Sequence, residues 1–258
     1  MRRATGRDSQ AIVVKATFAL KSGEWYLADE QAPIRARASH QRGDPNASLQ
    51  HPPDTAPWKA RPEVLVVGSA FSSSGPTRSL VVRLAVAEVD KTLEVFCDRI
   101  VSQHGGMREG APFVRMPLVA ERAAYDEATN PIGVRPDRVD SLGRVTLPNL
   151  QPTGLFVQDL TTRIPAIGLG PIPPTWPVRG KLWTAGGALG LERVEREPVV
   201  DSLDKSFFND APRDQQVQAI SPTERIVMEN LHPDTPRLVT CLPGIAPHCL
   251  GTLRPEFA

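Results

Sequence analysis

Proline constrains this chain more than any other feature: 26 of its 258 residues are Pro, and 19 more are Gly. Proline inside a helix removes a backbone hydrogen bond and clashes with the preceding turn, at a cost of about 3 kcal/mol. A chain broken so often cannot be a helical bundle or a solenoid of long helices. The densest run is Ile164-Pro165-Ala166-Ile167-Gly168-Leu169-Gly170-Pro171-Ile172-Pro173-Pro174-Thr175-Trp176-Pro177. No regular helix or central strand passes through it. Its apolar content predicts extended packing over a sheet.

Between the breaks, period-2 patterning dominates. Ile12, Val14, Ala16, Phe18 and Leu20 alternate with Val13, Lys15 and Thr17, which reads as a half-buried strand. Ser22-Gly23 then turns the chain into Trp25-Tyr26-Leu27, a hairpin. Val64 to Ala70 reads as a strand buried on both faces. Leu80–Val86 and Thr92–Cys97 pair across Glu88-Val89-Asp90, and Ile226–Leu231 and Leu238–Leu242 pair across His232 to Pro236. Local hairpins imply antiparallel sheet. Helix signals are sparse. Met116–Ala128 has helix-friendly composition, with strand or irregular structure as the competing reading. Ser202–Phe208, capped by Ser202, and Ala211–Gln218 read as single helical turns. Asn130 to Pro198 is mostly loop.

The expected fold is mainly β, an antiparallel sheet sandwich or partly open barrel-like fold. It carries long Pro/Gly-rich loops and one or two short helices. One domain over residues 1–258 is the economical organisation, with 1–11 a flexible basic tail; a boundary inside the loop-rich middle is the alternative.

Charge narrows the function. Lys plus Arg number 30 and Asp plus Glu 29, a formal net charge of +1. That balance argues against electrostatic capture of nucleic acid or anionic membrane. No run of 18 apolar residues is present, and no apolar core follows the basic start, so neither a membrane span nor a signal peptide is expected. Three cysteines, Cys97, Cys241 and Cys249, make no disulfide framework. The expectation is a cytoplasmic protein with reduced thiols.

Catalytic patterns are weak. Cys241, His248, Cys249 and nearby His232 lack the paired spacing of a zinc site. Gly68-Ser69-Ala70 lacks the second glycine of a nucleophile elbow, so Ser69 reads as a small packed residue; His40, His51 and His104 sit in polar loops. Glu121 with Asp126 or Glu127 could pair as glycosidase carboxylates, although such pairs arise by chance. Gly168-Leu169-Gly170 and Gly186-Gly187-Ala188-Leu189-Gly190 lack the completing features of nucleotide loops. No catalytic residue, metal or cofactor is expected.

Two runs stand out. Phe207-Phe208-Asn209-Asp210-Ala211-Pro212-Arg213-Asp214-Gln215-Gln216 sets apolar anchors beside dense amide hydrogen bonding. Phe113-Val114-Arg115-Met116-Pro117-Leu118, continuing to Glu121-Arg122, offers guanidinium groups for bidentate contacts or for internal pairing with Glu121 or Asp126. Arg115, Arg122, Asn149, Trp176, Phe207, Phe208, Asn209, Asp214, Gln215 and Gln216 are the candidate partner-binding or loop-organising residues.

Motifs in fixed order span nearly the whole chain. They include Val13 to Phe18, Leu27 to Gln31, Lys59 to Gly68, Lys91 to Arg99, Arg115 to Leu118 and Glu121-Arg122-Ala123. Asn130-Pro131-Ile132-Gly133, Leu147-Pro148-Asn149-Leu150, Gly168 to Trp176, Phe207 to Gln216, Glu229 to Pro233 and Leu242-Pro243-Gly244 follow. Together they resemble a bacterial family of unknown function encoded beside type VI secretion spike and PAAR-tip proteins. The lead-in before Ile12 is shorter than usual there, and Ala124-Tyr125-Asp126 replaces a Gly-Gly. The resemblance implies a non-catalytic adaptor or chaperone that binds an effector, or its PAAR-containing region, and promotes loading onto the spike. A carbohydrate-active hydrolase on a β-sandwich, using Glu121 as acid, and a structural component of the secreted tip are the alternatives. Sheet edges could accept a strand from a client.

Overall fold

The computed structural model describes residues 12–21, 23–56, 59–102, 106–135, 137–157, 161–182, 205–242 and 252–253. In chain order its strands begin with a hairpin, β1 (Phe18–Lys21) and β2 (Glu24–Leu27), and a second pair, β3 (Ser39–His40) and β4 (Leu49–His51). Next come β5 (Glu63–Val64), β6 (Ser69–Phe71), β7 (Ser79–Val86), β8 (Val89–Phe96), β9 (Arg99–Ser102), β10 (Met107–Glu109) and β11 (Arg115–Pro117). β12 (Arg144–Leu147) and β13 (Leu150–Gln151) precede a four-residue helix, α1 (Pro177–Gly180). β14 (Arg225–Glu229), β15 (Arg237–Cys241) and β16 (Thr252–Leu253) complete the order.

The organising element is a five-stranded antiparallel sheet in the order β13-β8-β7-β14-β15. Register explains its two faces. Val82 lies opposite Leu93, Leu84 opposite Met228, and Val86 opposite both Val89 and Ile226. These residues are all buried, and Val64 of β5 with Val66, Leu118, Leu169 and Val217 from the loops shares their core cluster. The other face carries Arg237, Glu229, Arg83 and Asp90 as a ladder of ion pairs at 3.3, 3.7 and 2.7 Å. Such exposed pairs add little stability but mark this face as the solvent side. Beside this sheet stand a three-stranded sheet, β10-β9-β12, and several two-stranded ones. Apart from the parallel β16–β5 pair, these pairings are antiparallel. The fold is mainly β, as expected, and the described strands close no barrel.

Several local expectations are corrected. The β7–β8 turn is Ala87-Glu88 and not Glu88-Val89-Asp90, because Val89 pairs with Val86. Ala87 supplies the tight reversal with φ 50°, a conformation costly for a residue with a Cβ. Only Phe18–Leu20 of the Ile12–Leu20 stretch joins a ladder, and Ile12 and Val14 are 79% and 88% exposed. Alternation shows that two faces differ, not which one the core covers; only Leu20, with Trp25, reaches the core. Met116–Ala128 is a strand followed by a 3₁₀ turn at Ala120–Arg122. Met116 and Leu118 are both buried and two apart, which is strand spacing. Val64 to Ala70 is buried but broken into β5 and β6.

The loop-rich middle contains β12, β13 and α1, the only α-helix among the described residues, with Pro177 at its first position. The turns expected within Ser202–Phe208 and Ala211–Gln218 are 3₁₀ turns at Lys205–Phe208 and Arg213–Gln215. The Pro-rich run packs as expected, with Leu169 fully buried. Residues 1–11, Ser202, His104, Gly186–Gly190, His248 and Cys249 lie outside the described residues. Among the described residues no helix is long and apolar enough to cross a membrane.

Candidate functional site

The run Phe207–Gln216 is folded inward. Its 3₁₀ turn stacks Phe207 and Phe208 edge to face, 5.4 Å between centroids, both buried. Arg179 of α1 donates to the Phe207 carbonyl through Nε (3.1 Å) and Nη2 (2.7 Å). Its Nη1 donates to Asp210 Oδ1 (3.0 Å) and to the Ile172 carbonyl. Asp210 Oδ2 accepts from Lys59 Nζ at 2.8 Å, and Lys59 also donates to Glu63 Oε1. Glu63 Oε2 accepts from Asn209 Nδ2 (3.0 Å) and from the Ala211 N–H (2.9 Å).

Two cations and two anions therefore alternate through a buried chain: Glu63, Lys59, Asp210, Arg179. Isolated charges in such a place would be prohibitive, and here each is paired and hydrogen-bonded. Burial alone would lower the Lys59 pKa, but attraction by Asp210 and Glu63 outweighs it and raises the pKa. Asn209 also accepts from the Ala60 N–H and donates to the Arg61 carbonyl, so one amide holds residues some 150 positions away in sequence.

A second polar latch lies beside the first. Lys91 sits opposite Leu84, on the inward face of β8. Its Nζ donates to Gln215 Oε1 at 2.9 Å and pairs with Asp214 at 2.8 Å. Burial pushes the Lys91 pKa down against the pull of Asp214. Gln215, fully buried, donates in turn to the carbonyls of Val64 (2.8 Å) and Leu169 (2.9 Å). Gln216 donates to the Ala211 carbonyl. Trp176, buried, precedes α1 and accepts the Arg179 and Gly180 N–H groups on its carbonyl.

The remaining candidates lie elsewhere. Arg122 Nη1 donates to Asn149 Oδ1 (3.0 Å) and Asp98 Oδ1 (3.3 Å), and Asn149 Nδ2 donates to Asp98 Oδ1 (3.0 Å). Arg122 thus pairs with Asp98, not with Glu121 or Asp126. Arg115 donates to Ser69 Oγ at 3.0 Å and sits 5.6 Å from the centre of the Phe71 ring. Glu121 accepts the N–H and hydroxyl of Ser48. Asp126 turns back onto Ala128 and Thr129. Glu121 and Asp126, two of the three carboxylates weighed for hydrolysis, are thus engaged in holding loops. No group of three or more His, Cys, Asp or Glu among the described residues could hold a metal ion.

A cleft of about 840 Å³ opens next to the Arg122–Asn149 clamp. Ala124, Leu147 and Pro148, within two positions of the clamped residues, line it together with Ile164 and Pro165 of the Pro-rich run. Its rim is charged. The Arg135 guanidinium lies 4.2 Å over the Tyr125 ring and pairs with Asp137 at 2.9 Å, with Arg163 and Asp126 nearby. Buried Arg99 donates to the Pro148 carbonyl from beneath, at 3.1 Å, and burial lowers its pKa.

Sequence reasoning missed Lys59, Glu63, Lys91, Arg179 and the cleft. One signal was available: Lys91 falls between inward-pointing Val89 and Leu93, which places a cation on the core face and demands a partner. Arg179 had no such signal, because its role depends on long-range packing.

Fold and site define a β-rich protein whose Pro-rich run is tied down by buried polar contacts and also lines an open cleft. The chain belongs to the DUF2169 family, described as an uncharacterized protein conserved in bacteria, whose model matches residues 5–256. No curated protein and no solved structure matches it.

Proposed function

We propose that this bacterial protein is a non-catalytic adaptor that binds a type VI secretion effector, or its PAAR-containing region, in the cytoplasm and promotes its loading onto the spike. The ordered motif set supports this reading. One structural observation carries it furthest: the buried polar knot fixes the Pro-rich run that walls the cleft. Leu169 and Ile172 of that run bond to Val66, Gln215 and Asp210, and Ile164 and Pro165, a few residues earlier, line the cleft. A wall fixed before a partner arrives lowers the ordering cost of binding. In this reading the client binds in the cleft, its apolar side chains against Leu147 and Pro148 and its polar groups against Arg135 and Arg163.

The test is co-expression with a PAAR-containing effector and quantitative co-purification. The wild-type protein retains the effector, and the double charge reversal Arg135→Glu, Arg163→Glu loses it while remaining folded. Equal retention by the charge-reversed protein removes the cleft from the account. Failure of the wild-type protein to retain effector, PAAR or spike protein overturns the adaptor reading.

A further inference from the structure

We infer that residues 12–20 form a self-complementary edge strand through which two copies of this chain pair antiparallel. The inference does not depend on the adaptor reading.

The β1–β2 ladder fixes which edge is open. Thr17 lies at its end: its carbonyl accepts the Ala28 N–H at 2.9 Å. The Gln31 side chain extends the same edge, accepting the Thr17 N–H (2.8 Å) and donating to the Thr17 and Ala28 carbonyls. Backbone groups of successive residues in an extended strand point to opposite edges. With Thr17 directed toward β2, Ile12, Val14, Ala16, Phe18 and Leu20 direct their N–H and C=O groups the other way. No strand among the described residues pairs with that edge.

This edge lacks the usual protection. Edge strands are commonly guarded by charges or proline. The nine residues contain no proline and one charge, Lys15, which is pinned to Asp54 at 2.8 Å and to the Pro33 carbonyl at 3.1 Å. The side chains it leaves out are apolar: Ile12 is 79% exposed, Val14 88%, and neighbouring Leu27 65%.

The sequence selects a second copy as the occupant. Paired antiparallel about Ala16, Ile12 lies opposite Leu20, Val14 opposite Phe18, and Ala16 opposite itself. On the other face Val13 meets Ala19 and Lys15 meets Thr17. Apolar side chains meet apolar ones, no like charges face each other, and the five free residues are in phase to exchange bonds. The contact is isologous, so it closes at two copies. It also turns a two-stranded sheet, marginal alone, into four strands.

Sedimentation velocity on the full chain over a concentration series tests this. The wild-type protein is a reversible dimer. Ala16→Lys, which sets two ammonium groups face to face, weakens association at least about tenfold. In a Cys241→Ser, Cys249→Ser background, Ala16→Cys crosslinks into a dimer on mild oxidation, because opposed Cα atoms of a bonded pair lie about 5.5 Å apart. Val13→Cys, which faces Ala19, does not. A wild-type monomer throughout, a dimer unaffected by Ala16→Lys, or equal crosslinking at 13 and 16 overturns the inference. So does a monomer that uses this edge only for a partner's strand.

Discussion

Asn209 donates to Glu63 across 3.0 Å, and both residues are buried, at 1% and 0% exposure. They lie 146 positions apart in sequence. This contact ties β5 to the Phe207–Gln216 run. Removing Glu63 leaves Lys59 with one carboxylate fewer inside the protein. Glu63→Ala lowers unfolding free energy by about 3–5 kcal/mol, the usual result of breaking a buried pair from one side. Asn209→Ala, which removes a neutral partner of a charge, costs about 2 kcal/mol. Urea denaturation of the two variants checks the order.

Phe208→Ala tests whether the aromatic pair organises or contacts. Both rings are buried and edge to face, so truncation costs about 3–5 kcal/mol of stability. Client binding measured below the melting transition stays close to wild type. A large binding loss without destabilisation would place Phe208 at the interface instead.

Gly133 approaches the chain where a side chain has no room. A Cβ built there meets the Ala124 carbonyl oxygen at 2.5 Å and Asn130 Nδ2 at 2.6 Å. Asn130 itself donates to the Ala120 and Ala124 carbonyls. Gly133→Ala destabilises by about 1–3 kcal/mol, as overpacking does, and thermal melting reads it.

Acid weakens the fold with a defined sign. The N–H and hydroxyl of Thr129, with the Ala128 N–H, hold the Asp126 pKa below 3.8. Asp90, Asp137 and Asp140 are lowered as well, each hydrogen-bonded by an arginine or by its own loop. Around pH 3.8 the unfolded chain then binds more protons than the folded one. The stability these groups contribute is fully present above that value and is lost as pH falls through their folded pKa values. Asp126→Asn shows a shallower loss of urea midpoint between about pH 5 and about pH 2.

The sheet was legible because its signal is local. The alternation in Leu80–Val86 and the apolar run Ile226–Met228 need only local sequence, and β7, β8, β14 and β15 formed close to where patterning placed them. Ile12 and Val14 failed because patterning cannot say how far the core extends. Of the candidate site, the density of amides around Asn209 and Gln215 was visible. That Lys59, Glu63 and Arg179 meet them was not, since contacts between residues so far apart in sequence follow from the fold. The cleft was invisible for the same reason: three separate segments line it.

The most direct measurement is co-purification of the full chain with a PAAR-containing type VI effector, comparing wild type with the Arg135→Glu, Arg163→Glu protein under conditions where both are folded. The account predicts a stable complex for wild type and its loss on charge reversal. A folded wild-type protein that captures no effector, PAAR or spike component would contradict it.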